Sequence, residues 1–278
     1  MQKQLFTKSR WLVTIILLAT LSIGQMWGAV TALTIPKSWA ASDGKSAYTD
    51  ALGCTKSGLG SDYSASGTKL KFDNTGDYMI IQLASSPAYV SYAILGNSFS
   101  GGTFKVQESS NGSTYTDVAT YTTSPSGTKT NNLKAATRYI KFIYTTKSSG
   151  NIGLGTIVIK ARTTITLNKN GGSADGSAVI AYNATAKESL SAPTYDASHE
   201  IEGYYAEAGC STKVLNSDGS FAASSVSGWI TSSKWSKDAA TATLYAKWVS
   251  AGTTVTYSKG ASSNGSLFCT ALCALLSL

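Results

Sequence analysis

From Ala41 onward the chain is a succession of short apolar or alternating runs separated by Gly, Ser, Asn and Asp, and no window keeps an apolar 3.6-residue period through three turns. Thr68 to Phe72 alternates polar and apolar positions, Tyr78 to Leu83 is more continuously apolar, and Tyr89 to Leu95 follows Pro87. Further runs cover Thr103 to Glu108, Thr116 to Tyr121, Arg138 to Tyr144 and Gly155 to Lys160, with a turn at Ser110-Asn111-Gly112-Ser113. About seven strands at this spacing predict a β-sandwich or jelly roll of about 120 residues.

The N-terminus carries a different pattern. Met1 to Arg10 contains Lys3, Lys8 and Arg10 without an acid, and Trp11 to Val30 is almost wholly apolar, the form of a secretory signal peptide. Ser38-Trp39-Ala40 offers small residues at the minus-three and minus-one positions, so cleavage is expected after Ala40, with Val30-Thr31-Ala32 as the competing site. The mature chain is then expected to be secreted or displayed at the cell surface, with no transmembrane anchor after cleavage. The apolar run approaches the roughly 20 residues that span a bilayer, which makes an uncleaved anchor the alternative.

Charge and tryptophan placement divide the remainder. Residues 41–162 hold 12 basic and 7 acidic side chains, residues 163–249 hold 6 and 8, and Trp229, Trp235 and Trp248 all fall in the second region. A boundary near Arg162 is therefore expected, with almost no linker, since Ile157-Val158-Ile159 lies a few residues before the next strand, Thr164 to Leu167. Residues 250–278 form a tail that begins with a strand-like Thr253 to Tyr257 and ends apolar, as a truncated or frameshifted end would.

Composition narrows the chemistry. The formal charge of +8 belongs half to residues 1–40, which removes most of the case for a specific nucleic-acid partner. One histidine, His199, excludes multi-histidine metal sites, and without a Gly-x-Ser-x-Gly elbow it reads as a surface loop residue beside Asp196 and Glu200. Gly58-Leu59-Gly60, Gly101-Gly102 and Gly153-Leu154-Gly155 lack a Walker lysine and a following helix, so they read as turns. Asp175-Gly176 and Asn216 to Gly219 read as hairpin turns rather than calcium loops. Cys54 and Cys210 fall one in each domain, and Cys269 and Cys273 in the tail, so the first two read as free thiols rather than a disulfide framework. No cofactor is expected.

What remains is binding. Sugars are held by flat aromatic faces with a few amide or basic groups on loops at one end of a sandwich. In the first domain the candidates are Tyr63, Tyr89 and Phe99, with Asn97, Arg138 and Asn151 as polar partners; Tyr48 and Tyr115 also fall near expected loops. Each, taken alone, is also an ordinary core or turn residue.

Two resemblances sharpen this picture. Thr164-Ile165-Thr166-Leu167-Asn168-Lys169-Asn170-Gly171-Gly172, Ile201-Glu202-Gly203-Tyr204-Tyr205 and Thr243-Leu244-Tyr245-Ala246-Lys247-Trp248 resemble the three landmarks of the Listeria–Bacteroides repeat, the B-repeat of internalin-type surface proteins. The resemblance covers roughly residues 163–249 and implies a small β-grasp-like module, used as a spacer or adhesion unit without catalysis. The chain departs from that pattern in having Tyr204 where the family commonly has Trp, His199 near a usual aromatic, and an insertion from Lys213 to Lys237. Thr103 to Ser109 with Asn111-Gly112-Ser113, Ala136 to Phe142, and Gly150 to Gly155 resemble the discoidin or galactose-binding-like sandwiches of Bacteroidetes surface proteins. That likeness implies carbohydrate or surface binding, and a structural calcium involving Asp73 or Asp77. The expected protein is all-β, non-catalytic and monomeric, and contacts a glycan or a cell surface. The alternatives are the accessory region of a longer secreted hydrolase and a purely structural spacer.

Overall fold

The computed structural model describes residues 31–60 and 70–252. The export segment up to Val30, Tyr63 and the tail from Thr253 lie outside the described residues. Among the described residues the chain is almost wholly β, with one five-residue helix, α1 (Lys45–Thr49), and no helix long and apolar enough to cross a membrane.

The first module is a sandwich. One layer consists of β2 (Cys54–Ser57), β4 (Tyr78–Gln82), β9 (Tyr139–Thr146), β6 (Thr103–Ser109) and β7 (Thr116–Tyr121), in the order β2-β4-β9-β6-β7 and antiparallel throughout. The facing layer sets β8 (Ser126–Asn132) against β5 (Pro87–Ser100) and β5 against the first half of β10 (Ser149–Asn168). The other edge of β10 takes β3 (Leu70–Phe72) and β1 (Lys37–Ser38) in succession. Strand alternation sends Tyr92 and Ile94 inward from one layer, and Met79, Ile81, Phe104, Val106 and Phe142 from the other. Edge-on aromatic pairs join the layers: Tyr92 on Phe142 with ring centroids 5.3 Å apart, and Phe72 on Phe104 at 5.1 Å.

This sandwich begins before Ala41. Leu33, Ile35 and Trp39 are buried in its core. Leu33 donates its N–H to the Gln82 carbonyl at 2.8 Å, Lys37 and Ser38 pair with Ile159 and Val158, and the Trp39 indole stacks on Tyr48 while donating to the Ala47 carbonyl. The sandwich therefore includes residues on the N-terminal side of the expected boundary at Ala40. Cleavage there would strip an entire strand and three core side chains, whereas the competing site after Ala32 leaves them in place. Trp39 also gives the first module the buried tryptophan it was expected to lack.

No linker separates the modules. β10 continues as one 20-residue strand, and its second half forms the centre of another sheet in the order β12-β11-β10-β17-β13-β14. The added strands are β11 (Gly176–Ala181), β12 (Ser189–Ser191), β13 (His199–Tyr205), β14 (Lys213–Asn216) and β17 (Thr241–Ser250). β10 and β17, the first and last strands of the module, lie parallel side by side, and hairpin partners flank them, which is a β-grasp-like arrangement. The small hairpin of β15 (Ile230–Thr231) and β16 (Lys234–Trp235) belongs to the connection before β17. The expected insertion is thus part of the core: Val214, Leu215, Val226, Ile230 and Trp235 pack with Ile165, Leu167, Tyr204 and Leu244. Ile157, Ile159, Ala161, Thr163, Ile165 and Leu167, at alternate positions of β10, all have zero exposure, so one strand face serves both cores.

Gly153-Leu154-Gly155 lies inside β10, which corrects its reading as a turn. Gly153 is paired with Lys71 on one side and Leu95 on the other. A register shift follows at Gly155 to Val158, around Thr156, whose φ is 45°.

Candidate functional site

The sequence-derived candidates do not converge. Asn97 and Asn151 are cross-strand partners at the far end of β5 and β10. Phe99 beside them is buried and packs on Tyr144 at 5.7 Å, so it is a core residue and presents no face to a ligand. Tyr89 and Arg138 sit at the opposite end, toward the second module. The Arg138 guanidinium donates to the Ala135 and Thr137 carbonyls, tying down its own loop. Tyr63 lies outside the described residues.

A denser constellation occupies the outer face of the β2-β4-β9-β6-β7 sheet. Register places Tyr78 beside Ile143, Ile80 beside Lys141 and Gln82 beside Tyr139, and Lys141 is also opposite Gln107. These are the outward positions of strands whose alternate residues fill the core, so the face is half-buried but reachable. The Lys141 ammonium lies 5.3 Å from the Tyr78 ring centroid and 5.0 Å from that of Tyr115. Asp117 takes Lys105 at 2.7 Å and Gln107 at 2.8 Å, and those two contacts hold its carboxyl below the usual range. Lys141 has no carboxylate within ion-pair distance among the described residues, and remains the uncompensated cation of the face.

The turn after β6 fixes this arrangement. Ser109 Oγ accepts the N–H groups of Asn111 and Gly112, and Asn111 Oδ1 accepts those of Ser113 and Thr114. Gly112 has φ of 75°, and a Cβ there would come within 2.9 Å of the Tyr139 ring. The turn therefore lies directly on Tyr139 and delivers Tyr115 to the lysine. On its other side is a pocket of about 220 Å³ lined by Glu108, Asn111, Thr116, Lys134 and Thr137 among others. Glu108 accepts from Thr137 Oγ1 at 2.6 Å and from the Lys134 N–H at 2.9 Å, with the Lys134 ammonium at 3.3 Å. Burial opposes its ionisation, but these donors outweigh that and keep it below the usual carboxylate range. It is a fixed anion bracing the loop between β8 and β9.

No family model matches the chain, and no curated protein matches it. Among solved structures, the K2 cleaved adhesin domain of Lys-gingipain is 22% identical with a TM-score of 0.31, over 38% of this chain and 80% of that one. The K1 cleaved adhesin domain of Lys-gingipain from Porphyromonas gingivalis W83 is 20% identical with a TM-score of 0.28, over 39% and 72%. A carbohydrate-binding module of Cellvibrio mixtus lichenase 5A, in complex with cellotriose, is 17% identical with a TM-score of 0.28, over 45% and 96%. Likeness this slight carries no argument about what the chain does.

The remaining candidate chemistry resolves into structure. Asp77 Oδ2 accepts the N–H groups of Asp73 and Asn74, and Asp73 is paired with Lys71 at 3.0 Å. Their oxygens are committed to the turn and the ion pair, and no cluster of three His, Cys, Asp or Glu side chains suits a metal among the described residues, so they do not fit the implied calcium. His199 Nδ1 is 2.7 Å from Asp196 Oδ1 and 3.2 Å from Ser198 Oγ. A hydrolytic triad needs the serine on the other ring nitrogen, so this is turn bonding. Hydrogen bonds from Ser198, then His199, hold Asp196 down to about 2.

Cys54 and Cys210 are free thiols, Cys54 packed against the core of the first module and Cys210 partly exposed in the second. Burial pushes Cys54 up to about 12 and Cys210 upward as well. At pH 8 Cys54 is therefore held almost wholly as the unreactive thiol. In the folded protein, alkylation of Cys54 is expected to run more than about a hundred-fold slower than that of free cysteine and to speed up in denaturant. Peptide mapping after timed iodoacetamide treatment checks this, and labelling at the free-cysteine rate would contradict it.

Proposed function

We propose that this is a secreted or surface-displayed, non-catalytic binding protein whose first module contacts glycans through the outer face of the β2-β4-β9-β6-β7 sheet. The observation that carries the reading is Lys141, a cation without a carboxylate partner held between Tyr78 and Tyr115, with Tyr139 and Gln107 adjacent. Aromatic rings offer C–H stacking surfaces, the amide offers paired donor and acceptor, and the ammonium favours glycans carrying uronate or other acidic sugars. In the same reading the second module is a Listeria–Bacteroides-type repeat that serves as a spacer beside the sandwich, and export ends with cleavage after Ala32.

A glycan array of neutral and acidic oligosaccharides, probed with the intact protein, tests this. Binding to acidic glycans is expected, with Lys141→Ala weakening it at least about tenfold, the scale of one hydrogen bond to a charged group. Tyr115→Ala should weaken neutral and acidic ligands alike. Absence of binding to any glycan, or variants that bind as the parent does while melting normally, would leave the spacer reading in its place.

A further inference from the structure

Where β10 passes from one module to the other, it forms the floor of a cleft of about 270 Å³. Tyr89 and Asn132, from β5 and the end of β8, border it on one side. Tyr182, Asn183 and Glu188 from the second module border it on the other, with Arg162 between them. The two charged groups cancel. Arg162 Nε donates to both Glu188 oxygens at 2.8 and 2.9 Å, and its other nitrogens donate to the Pro87 and Leu133 carbonyls of the first module. The guanidinium is thereby spent on fixing the seam.

The remaining groups have capacity to spare. Tyr89 and Tyr182 meet edge to face at 6.1 Å, and the Lys160 ammonium, itself paired with Asp238 at 2.6 Å, sits 4.8 Å from the Tyr182 ring centroid. Asn132 and Asn183 are both exposed, and their carboxamides have no hydrogen-bond partner among the described residues. Asn183 is held at φ of 66°, a left-handed conformation fixed by its N–H bond to the Trp235 carbonyl. The turn therefore holds the Asn183 amide at the edge of the cleft with no hydrogen-bond partner inside the protein.

From this geometry we infer that the seam is a second binding site, for a single uncharged saccharide unit, and that it exists only because the two modules are joined without a linker. The cleft lies just below the roughly 300–1,000 Å³ of drug-sized pockets, which suits one sugar ring. Its charges are internally neutralised, which disfavours acidic sugars. Its two amides each offer donors and an acceptor for vicinal hydroxyls, and its walls are tyrosines. The site is separate from the Lys141 face and does not depend on it.

The test is a titration of the intact, isotope-labelled protein with methyl glycosides of glucose, galactose, mannose and N-acetylglucosamine, followed by amide chemical shifts. At least one glycoside is expected to shift the resonances of Tyr89, Tyr182 and Asn183 in a saturable way. Asn132→Ala and Asn183→Gly, the latter compatible with positive φ, should each weaken that binding at least fivefold, while Lys141→Ala leaves it unchanged. Glucuronate should shift the seam less than glucose does. No saturable shift at the seam with any of the four, or unchanged affinity in both asparagine variants, overturns the inference. Loss of acidic-glycan binding on the array with the seam titration intact would instead remove only the Lys141 reading.

Discussion

A chain beginning at Ala41 is expected not to fold its first module, whereas one beginning at Leu33 folds and melts cooperatively. Leu33, Ile35 and Trp39 have 6%, 1% and 2% exposure. A fully buried large apolar side chain contributes about 1.5–3 kcal/mol, so their loss removes on the order of 5–9 kcal/mol. A whole domain's net stability is about 5–15 kcal/mol, and the deletion also opens the edge of β10 that β1 covers. Circular dichroism melts of the two chains read this directly. In parallel, N-terminal sequencing of the exported protein should return Leu33. A chain from Ala41 that melts within a few degrees of the longer one, or a mature terminus at Ala41, would refute the prediction.

Trp235→Ala should be the most damaging single substitution in the second module. Its ring is fully buried, packs on Trp229 at 5.7 Å and Phe221 at 6.2 Å, and donates from Nε1 to Thr163 Oγ1 at 3.1 Å. Truncating a buried tryptophan costs about 3–5 kcal/mol, and here it also deprives the zero-exposure Thr163 hydroxyl of a bonded partner. Urea unfolding followed by circular dichroism should show the transition assigned to this module moving to markedly lower denaturant. An unchanged midpoint would mean that the ring does not brace the junction between β10 and the connection before β17.

The way these two tryptophans escape a reading of the sequence shows what local pattern can and cannot deliver. Strands with a clear apolar alternation, such as β4, β6 and β9, are legible because one face is buried and the other is not. β8 is not: Ser126-Gly127-Thr128-Lys129-Thr130-Asn131-Asn132 is wholly polar, and it is a strand because β5 offers it an edge. The small residues flanking Trp39 mark it as part of the export segment, a signal that carries no information about tertiary burial. Trp235 sits in what the repeat pattern marks as an insertion, and only the folded chain shows that insertion closing the core. The binding residues suffered in the same way. Nearness to an expected loop points to Phe99 and Asn97, which do not join the site, and to Tyr115, which does; the other ring on Lys141, Tyr78, comes from a strand position. The usable signal was there, since Tyr78, Tyr139 and Lys141 fall on the outward parity of two strands that the sequence already marked.

The unbroken course of β10 has a consequence for how such a protein can be assembled from parts. Because side chains alternate with a period of two, Ile159 and Ile165 reach their separate cores only while the number of residues between them stays odd. Inserting or deleting one residue at Arg162 would put the downstream core out of phase and turn Ile165 and Leu167 to solvent, while a two-residue change would preserve phase and merely shift the second module along the strand. The two modules are therefore not interchangeable beads. Recombination at this junction is quantised, and a partner module can be spliced in only if it arrives in the same phase.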